Sequence, residues 1–241
     1  MKSNYANKIW AACRVAAFCL ISSAIITGCG NNENATTAGV GSGGTGSLAK
    51  TISGTVADGY LVNATVFLDK NGNGLLDAGE PSTKTDINGA YTLNVDPTDI
   101  GKYHIFALAI EGITIDKDTN QTVTKSYTLS LPKEIVSGSV NSNFISPIST
   151  WIHQTMTANP NRTLTDVMTQ LRVIMNLPGS MNILADYVNL GSDSSPDPNR
   201  DNYRGMHTTA QNMVPVMAQG KPFSNISTSI RVMMGTKMMR M

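Results

Sequence analysis

A twelve-residue segment, 69–80, carries oxygen-bearing side chains at the spacing of a calcium-binding loop. It reads Asp-Lys-Asn-Gly-Asn-Gly-Leu-Leu-Asp-Ala-Gly-Glu, so carboxylate or amide oxygens stand at loop positions 1, 3, 5, 9 and 12. Calcium takes roughly six to eight oxygen ligands, and EF-hand loops supply them in this order. The sequence therefore predicts a Ca²⁺ site. The predicted ligands are Asp69, Asn71, Asn73, Leu75 through its backbone carbonyl, Asp77 and Glu80.

Three positions define how this loop would close. Glu80 would offer both carboxylate oxygens, and Asp77 would bind directly or through a water. Gly74 would turn the chain at positive φ, where a Cβ would clash. We also expect Leu76 to turn inward and to tie the loop to the core. The alternative is a solvated hairpin, because Asn, Asp and Gly dominate turns in any case. Six matched positions in register favour calcium.

The segments on either side of the loop predict strands, not the helices of an EF-hand. Segment 61–68 is rich in β-branched and aromatic residues, with Val62, Ala64, Val66 and Leu68 on one face. Pro81 follows the loop at once, and segment 82–85 has the composition of a strand. We therefore expect a calcium loop that joins two strands.

Residues 51–132 are expected to form an all-β region. Short apolar segments recur along it, separated by turns every 8–12 residues or so, which is typical of a sandwich. Segment 86–89 contains Asn-Gly, a strong hairpin signal. Segment 116–120 is a second acidic turn, but it has no glycine and no late glutamate, so we expect a plain hairpin turn there.

Three quoted segments give this region a family resemblance. The sequences Ser-Gly-Thr-Val at 53–56, Gly-Tyr-Leu-Val-Asn-Ala-Thr-Val at 59–66 and Thr-Asp-Ile-Asn-Gly-Ala-Tyr at 85–91 resemble the prealbumin-like sandwiches. These include carboxypeptidase-regulatory-like modules and the B-type repeats of bacterial surface adhesins, whose calcium loops resemble segment 69–80. The resemblance implies a sandwich that serves as a spacer or stalk.

The pattern changes to a helical period in the region 138–241. Pro147 is suited to the first position of a helix, and Thr163 precedes a second helix. A third helix is expected near 206–217, disturbed at Pro215, and a fourth near 225–234. The second helix carries an apolar stripe of Leu164, Val167, Met168, Leu171, Ile174 and Met175. The predicted fold class is therefore α+β, a prealbumin-like sandwich followed by a small helical region.

The first 28 residues are expected to be a lipoprotein signal peptide. Lys2, Lys8 and Arg14 precede a mostly apolar run at 15–26, which is too short to span a bilayer comfortably. Ile-Thr-Gly-Cys at 26–29 resembles a bacterial lipobox, which implies that Cys29 is lipidated. The alternatives are an ordinary secretory signal, or a buried apolar helix with a chance cysteine.

Residues 29–50 are expected to be a flexible linker, because they are rich in glycine and serine. Cys13 and Cys19 would leave with the signal, so the mature chain would have no internal disulfide. A bound metal is another way to stabilise an exported domain. Gly30 after the lipidated cysteine indicates an outer-membrane lipoprotein, facing either the periplasm or the cell surface.

Several classes of function find no support in the sequence. The formal net charge is +1 with no basic block, so we expect no nucleic-acid partner. None of His104, His153 and His207 has a metal-ligand partner at i+4, and no nucleophile elbow or phosphate loop is present. We expect no enzyme, but a calcium-binding envelope or cell-surface scaffold or adhesion module. The alternative is a carbohydrate- or peptide-binding accessory subunit, with a protein or a glycan as partner.

Overall fold

The computed structural model describes residues 50–138 and 143–220, which form ten strands and four α-helices. The strands are β1 Lys50–Val56, β2 Leu61–Val62, β3 Thr65–Asp69, β4 Ser82–Lys84, β5 Ala90–Val95, β6 His104–Ala109, β7 Ile115–Asp116, β8 Gln121–Thr122, β9 Tyr127–Leu131 and β10 Asn143–Ile145. The helices are α1 Pro147–Ala158, α2 Leu164–Ile174, α3 Tyr187–Leu190 and α4 Arg200–Met217, with a 3₁₀ helix at Pro97–Asp99. The α+β class predicted from the sequence is confirmed.

The strands form three sheets. The largest has the order β4-β3-β6-β9, with every neighbouring pair antiparallel. A second sheet has the order β10-β1-β5, in which β10 runs parallel to β1, and a third has the order β2-β7-β8. The predicted acidic turn at 116–120 joins β7 to β8 as a plain hairpin, as expected.

The strand predicted over 61–68 is interrupted, which changes the face that its residues present. Asn63 has φ of 64°, a left-handed conformation that asparagine tolerates better than most residues. The chain therefore forms two strands, β2 and β3, and Leu61 is fully buried in place of Val62. Beyond the break, Ala64, Val66 and Leu68 are buried as predicted.

The turn at 86–89 is also different from the expected hairpin. Gly89 has φ of 72°, and its N–H donates to Asp86 O at 3.0 Å, so a tight turn is present. However, β4 before the turn and β5 after it belong to different sheets. The turn therefore carries the chain from one sheet to another, because β5 finds its partner in β1.

Helix α1 begins where the sequence predicts and is joined to the large sheet. The N–H groups of Ser146 and Ser149 donate to each other's hydroxyls, which forms a reciprocal N-terminal cap before Pro147. The Ser149 hydroxyl donates to Ser130 O in β9, and the Ser130 N–H donates to the Thr150 hydroxyl, both at 2.8 Å. These bonds position α1 against the end of the sheet that leads into segment 69–80.

The helices share one apolar core. Val167, Leu171 and Met175 of the predicted stripe are buried there. The predicted third helix is α4, which contains Pro215 in its last turn. The predicted fourth helix lies outside the described residues, as do the signal peptide and the linker apart from Lys50. In the segments that the structure describes, no helix is long and apolar enough to cross a membrane.

Candidate metal centre

The predicted calcium loop is the connection between two paired strands. Strand β3 ends at Asp69, the first loop position, and β4 begins at Ser82, two residues after Glu80. The register pairs Phe67 with Ser82, and the Leu68 N–H donates to Pro81 O at 3.0 Å. The two ends of the loop are therefore fixed by the sheet, as the sequence predicted.

The first predicted ligand, Asp69, lies at the centre of the loop. The residue is almost fully buried, at 2% exposure. Its Oδ1 accepts from Gly72 N at 2.8 Å and Asn73 N at 3.2 Å, and its Oδ2 accepts from Gly74 N at 2.8 Å. Gly74 has φ of 72°, as its position in the loop requires. One carboxylate therefore holds three backbone N–H groups of the loop.

The ligands at positions 3, 5 and 9 contact one another. Asp77 Oδ2 accepts from the amide nitrogens of Asn71 at 2.7 Å and Asn73 at 2.6 Å. These two hydrogen bonds hold the pKa of the Asp77 carboxyl below its usual value. The amide oxygen of Asn71 accepts from Asn73 N, and that of Asn73 accepts from Leu75 N. Three predicted ligands are thus gathered on one side of the loop.

The last ligand, Glu80, closes the loop. Its Oε1 accepts from Lys70 N at 2.7 Å, and its Oε2 accepts from Asp77 N at 3.1 Å. Both oxygens of this carboxylate therefore accept from the loop backbone, whereas a bidentate ligand would direct both oxygens to the ion. Leu75 is 45% exposed and Leu76 43% exposed, so the expectation that Leu76 turns into the core is wrong.

The predicted ligands suit a hard cation only after some of their side chains rearrange. Every predicted side-chain ligand is an oxygen donor, as calcium prefers. Across 50–138 and 143–220, however, no three carboxylate, imidazole or thiol groups are gathered closely enough to hold a metal ion. The amides of Asn71 and Asn73 direct nitrogen towards Asp77. Calcium binding would therefore require both amides to present their oxygens and Glu80 to exchange its N–H donors for the ion.

Position 2 of the loop is tied to a neighbouring groove. The Lys70 ammonium lies 2.9 Å from Asp99 Oδ2 and 5.7 Å from the centre of the Tyr103 ring. The groove, about 300 Å³ in volume, is open, and its lining mixes polar residues such as Asn94 and Asp96 with apolar residues such as Pro81 and Val95. The loop and the groove therefore share two residues, Lys70 and Gly79.

Two histidines lie behind the loop. His104 pairs with Asp69 across β3 and β6, and its ring stacks on that of His153 with centroids 4.1 Å apart. The His153 Nδ1 lies 2.8 Å from the Ser130 hydroxyl. Burial, with a smaller contribution from the neighbouring His104, lowers the pKa of His153 to about 4. His153 is therefore a neutral packing residue at neutral pH.

Asp58 carries a buried carboxyl that was not predicted from the sequence. This residue is 5% exposed, and its Oδ2 accepts from the Tyr127 hydroxyl at 2.6 Å. Its Oδ1 has no hydrogen-bond partner among the described residues. Burial, with smaller contributions from the charges of Asp116 and Asp118, raises the pKa of Asp58 to about 7. Asp58 precedes a glycine, so the sequence indicates an exposed turn; the only contrary signal is the apolar residues on both sides, Val56, Ala57 and Leu61.

The turn that contains Asp58 joins the strands to the helices. The Tyr60 hydroxyl donates to Asp186 Oδ2 at 2.8 Å, and the Tyr187 hydroxyl donates to Ala57 O at 3.2 Å. On the opposite side of the turn, a Cβ at Gly59 would lie 2.5 Å from Asp118 Oδ2, so a larger residue would displace the Asp118 carboxylate.

Asp118 also anchors helix α4. Its Oδ2 lies 2.7 Å from His207 Nε2 and accepts from Gln211 Nε2 at 2.7 Å. The His207 contact holds the pKa of Asp118 below its usual value. The acidic turn at 116–120 therefore makes a structural contact with α4.

The remaining predicted site residue, Cys29, lies outside the described residues. In comparisons with known proteins, no family model, no curated protein and no solved structure matches this chain.

Proposed function

We propose that this chain is a calcium-binding, lipid-anchored module of the cell envelope that acts as a scaffold or adhesion unit without catalytic activity. The observation that carries the proposal is the loop network. The five side chains at positions 1, 3, 5, 9 and 12 all take part in hydrogen bonds within the one connection between β3 and β4. A calcium ion would take the place of N–H donors that now satisfy these oxygens.

The finer fold assignment belongs to the same proposal. We infer that the β-rich part is a prealbumin-like sandwich, on the basis of the segments 53–56, 59–66 and 85–91. The antiparallel sheet β4-β3-β6-β9 supports this inference, because the loop lies at one end of this four-stranded sheet. The proposed boundary between residues 51–132 and the helical region 138–241 is crossed by one strand pair, because β10 lies in the second region and pairs with β1 in the first. A metal ion that holds one end of the sheet in a fixed conformation would suit a protein that acts as a spacer or stalk.

Calcium should raise the melting temperature of the metal-free protein. Extracellular calcium modules have Kd values of about 10⁻⁴–10⁻³ M, so about 1 mM calcium should add roughly 0.4–1.4 kcal/mol. For a chain of this size that is an increase of a few degrees, about 2–4 °C per kcal/mol. Magnesium should have a smaller effect, because its octahedral geometry suits this loop poorly.

Glu80→Gln should abolish most of the calcium-induced increase, because the bidentate ligand is lost. The matched control is Glu111→Gln, an exposed carboxylate in a turn away from the loop, which should retain the full increase. The quantity to compare is the shift that calcium causes, since Glu80→Gln also removes an acceptor for a backbone N–H. A melting temperature that responds to neither calcium nor chelator would reject the calcium site.

The proposed anchor is tested separately. Cys29→Ser should move the protein from the membrane fraction to the soluble fraction of the producing bacterium, because the thiol that would carry the lipid is lost. Cys19→Ser, within the proposed signal peptide, is the matched control and should leave the protein with the membranes. Retention of the Cys29→Ser protein in the membrane pellet would reject lipidation at this residue.

A second candidate is an accessory subunit that binds a carbohydrate or a peptide. The groove beside Lys70 and Asp99 favours it, because the polar side chains in its mixed lining offer hydrogen-bond partners next to the loop. Its volume of about 300 Å³ is at the lower limit of small-molecule pockets, roughly 300–1,000 Å³. Perturbation of the NMR signals of Lys70 and Asp99 by soluble oligosaccharides would favour this candidate over the scaffold.

A further inference from the structure

The loop contains two consecutive Asn-Gly pairs, which are sites of spontaneous chemical modification. Asn71-Gly72 and Asn73-Gly74 lie in the loop, and Asn88-Gly89 in the turn at 86–89 is the third such pair in the chain. Glycine follows asparagine without a Cβ to hinder approach, so its backbone nitrogen reaches the preceding side chain more easily than that of any other residue. Each pair is therefore a candidate for deamidation.

The reaction balances with water as the only co-reactant. The glycine backbone nitrogen loses its proton and forms a bond to the asparagine Cγ, and the bond from Cγ to the side-chain nitrogen breaks, releasing ammonia. Water then opens the resulting succinimide at either carbonyl, which yields aspartate or isoaspartate. The net change is the replacement of the amide NH₂ by a hydroxyl oxygen, so each event adds one ionisable carboxyl group.

The structure restrains both reacting partners in the loop. The attacking nitrogens of Gly72 and Gly74 donate to Oδ1 and Oδ2 of Asp69, each at 2.8 Å. An anionic acceptor opposes the loss of these protons, and Asp69 is only 2% exposed. The amide groups of Asn71 and Asn73 are bonded at both ends, through nitrogen to Asp77 and through oxygen to backbone N–H groups.

The third pair has weaker restraints and serves as an internal comparison. The Gly89 N–H donates to Asp86 O at 3.0 Å, so its nitrogen is bonded to a neutral carbonyl. In the part of the chain that the structure describes, the side chain of Asn88 has no hydrogen bond. Its Cγ is therefore free to rotate towards the glycine nitrogen, whereas those of Asn71 and Asn73 are not.

We propose that Asn71 and Asn73 are a pair of deamidation sites that the Asp69 carboxylate keeps unreactive while the loop is closed, and that loop opening exposes them to conversion. The conversion would matter for the loop whatever ion it binds. Aspartate at position 3 or 5 adds negative charge beside Asp77, and isoaspartate lengthens the backbone and shifts the positions that follow. The proposal depends only on the hydrogen bonds above, so it does not rest on the proposed calcium site.

The test measures site-resolved deamidation of the full chain by peptide mass spectrometry. The protein is incubated in mildly alkaline buffer with a chelator, both folded and in urea. In the folded wild type, Asn88 should react faster than Asn71 and Asn73. For each site, the deamidation rate in urea is divided by the rate in the folded protein. This ratio should be about tenfold larger for Asn71 and Asn73 than for Asn88, which is about the factor that one net hydrogen bond provides. Equal acceleration at all three sites would overturn the proposal.

A second experiment tests the role of the Asp69 carboxylate with a substitution. Asp69→Asn keeps the size of the side chain but replaces one acceptor oxygen by NH₂ and removes the charge, so deamidation at Asn71 or Asn73 should accelerate while Asn88 keeps its rate. Asp96→Asn is the matched control, because Asp96 also accepts a backbone N–H, from Thr98 at 2.8 Å, but contacts no Asn-Gly pair. Unchanged loop rates in a folded Asp69→Asn protein would overturn the role of the carboxylate. If Asp69→Asn unfolds, the comparison of folded and urea-treated wild type decides.

Discussion

Replacing Asp58 by asparagine is expected to remove one contribution to the pH dependence of stability, worth about 4 kcal/mol, by which this carboxyl destabilises the folded protein between about pH 4 and about pH 7. The Asp58 carboxyl has an ordinary pKa of 3.8 in the unfolded chain and about 7 in the folded protein, because it is buried. The folded state therefore binds more protons in this interval. Stability from this group is fully present below pH 3.8 and is lost as the pH rises through 7.

The amide in the Asp58→Asn variant cannot ionise, so the contribution of this residue to the free energy of unfolding should no longer fall over that interval. Its oxygen can still accept from the Tyr127 hydroxyl, which preserves the hydrogen bond that the Asp58 carboxyl makes. The amide nitrogen takes the unpartnered position, which costs about 1–3 kcal/mol. The stability of the variant relative to the wild type should be highest above pH 7, where the buried Asp58 carboxyl of the wild type is ionised. Urea unfolding of both proteins from pH 4 to pH 8 measures the effect.

Glu111→Gln is the control for this experiment, since it removes an exposed carboxyl and should leave the pH profile unchanged. An Asp58→Asn profile parallel to that of the wild type would show that Asp58 does not titrate as its burial implies.

The second large effect is expected at His153 and has the opposite sign. Its folded pKa of about 4 lies below the ordinary value of 6.5, so the unfolded state binds more protons between these limits. Stability from neutral His153 is therefore present above pH 6.5 and is lost as the pH falls towards 4, by about 3 kcal/mol at most. His153→Asn should abolish this acid-dependent loss while keeping a polar atom near the Ser130 hydroxyl.

The variant should also be less stable than the wild type at pH 7, by about 1–3 kcal/mol, because the ring stacked on His104 is lost. Direct titration of the His153 ring by NMR provides an independent measurement. A ring that titrates near 6.5 in the folded protein would contradict the prediction, whatever the stability of the variant.

The two groups largely offset each other in the wild type. Between about pH 4 and pH 6.5, ionisation of Asp58 lowers stability while deprotonation of His153 raises it. We therefore expect a nearly flat stability profile for the wild type over this range, and opposite slopes in the two single variants.

Local sequence signals predicted the features that depend on neighbours in the chain. The spacing of Asp69, Gly74 and Glu80 predicted a closed loop, and Pro147 predicted the start of α1. These succeeded because a positive φ, a cap or a turn is decided within a few residues.

The features that sequence reasoning missed are decided by distant residues. Asp58 is buried because Tyr127, 69 residues further along, lies against it. Asn63 interrupts a strand because Leu61 pairs with Asp116 in a different sheet from β3. No local pattern around either residue carries that information, because burial is a property of the assembled fold.

The parallel pairing of β1 with β10 has a consequence for the order of folding. Asn143 Nδ2 donates to Ser53 O across 90 residues of chain, and Gly54 lies directly opposite Asn143 in the register. Non-local pairing of this kind is slow to form, because the conformational entropy of a long segment is lost before the contact is made. In a chain that emerges from its amino end, one edge of β1 therefore stays unpaired until residue 145 has arrived. During that interval an open strand edge is available to other molecules, so the nascent protein passes through a period of vulnerability to aggregation that the finished fold no longer shows.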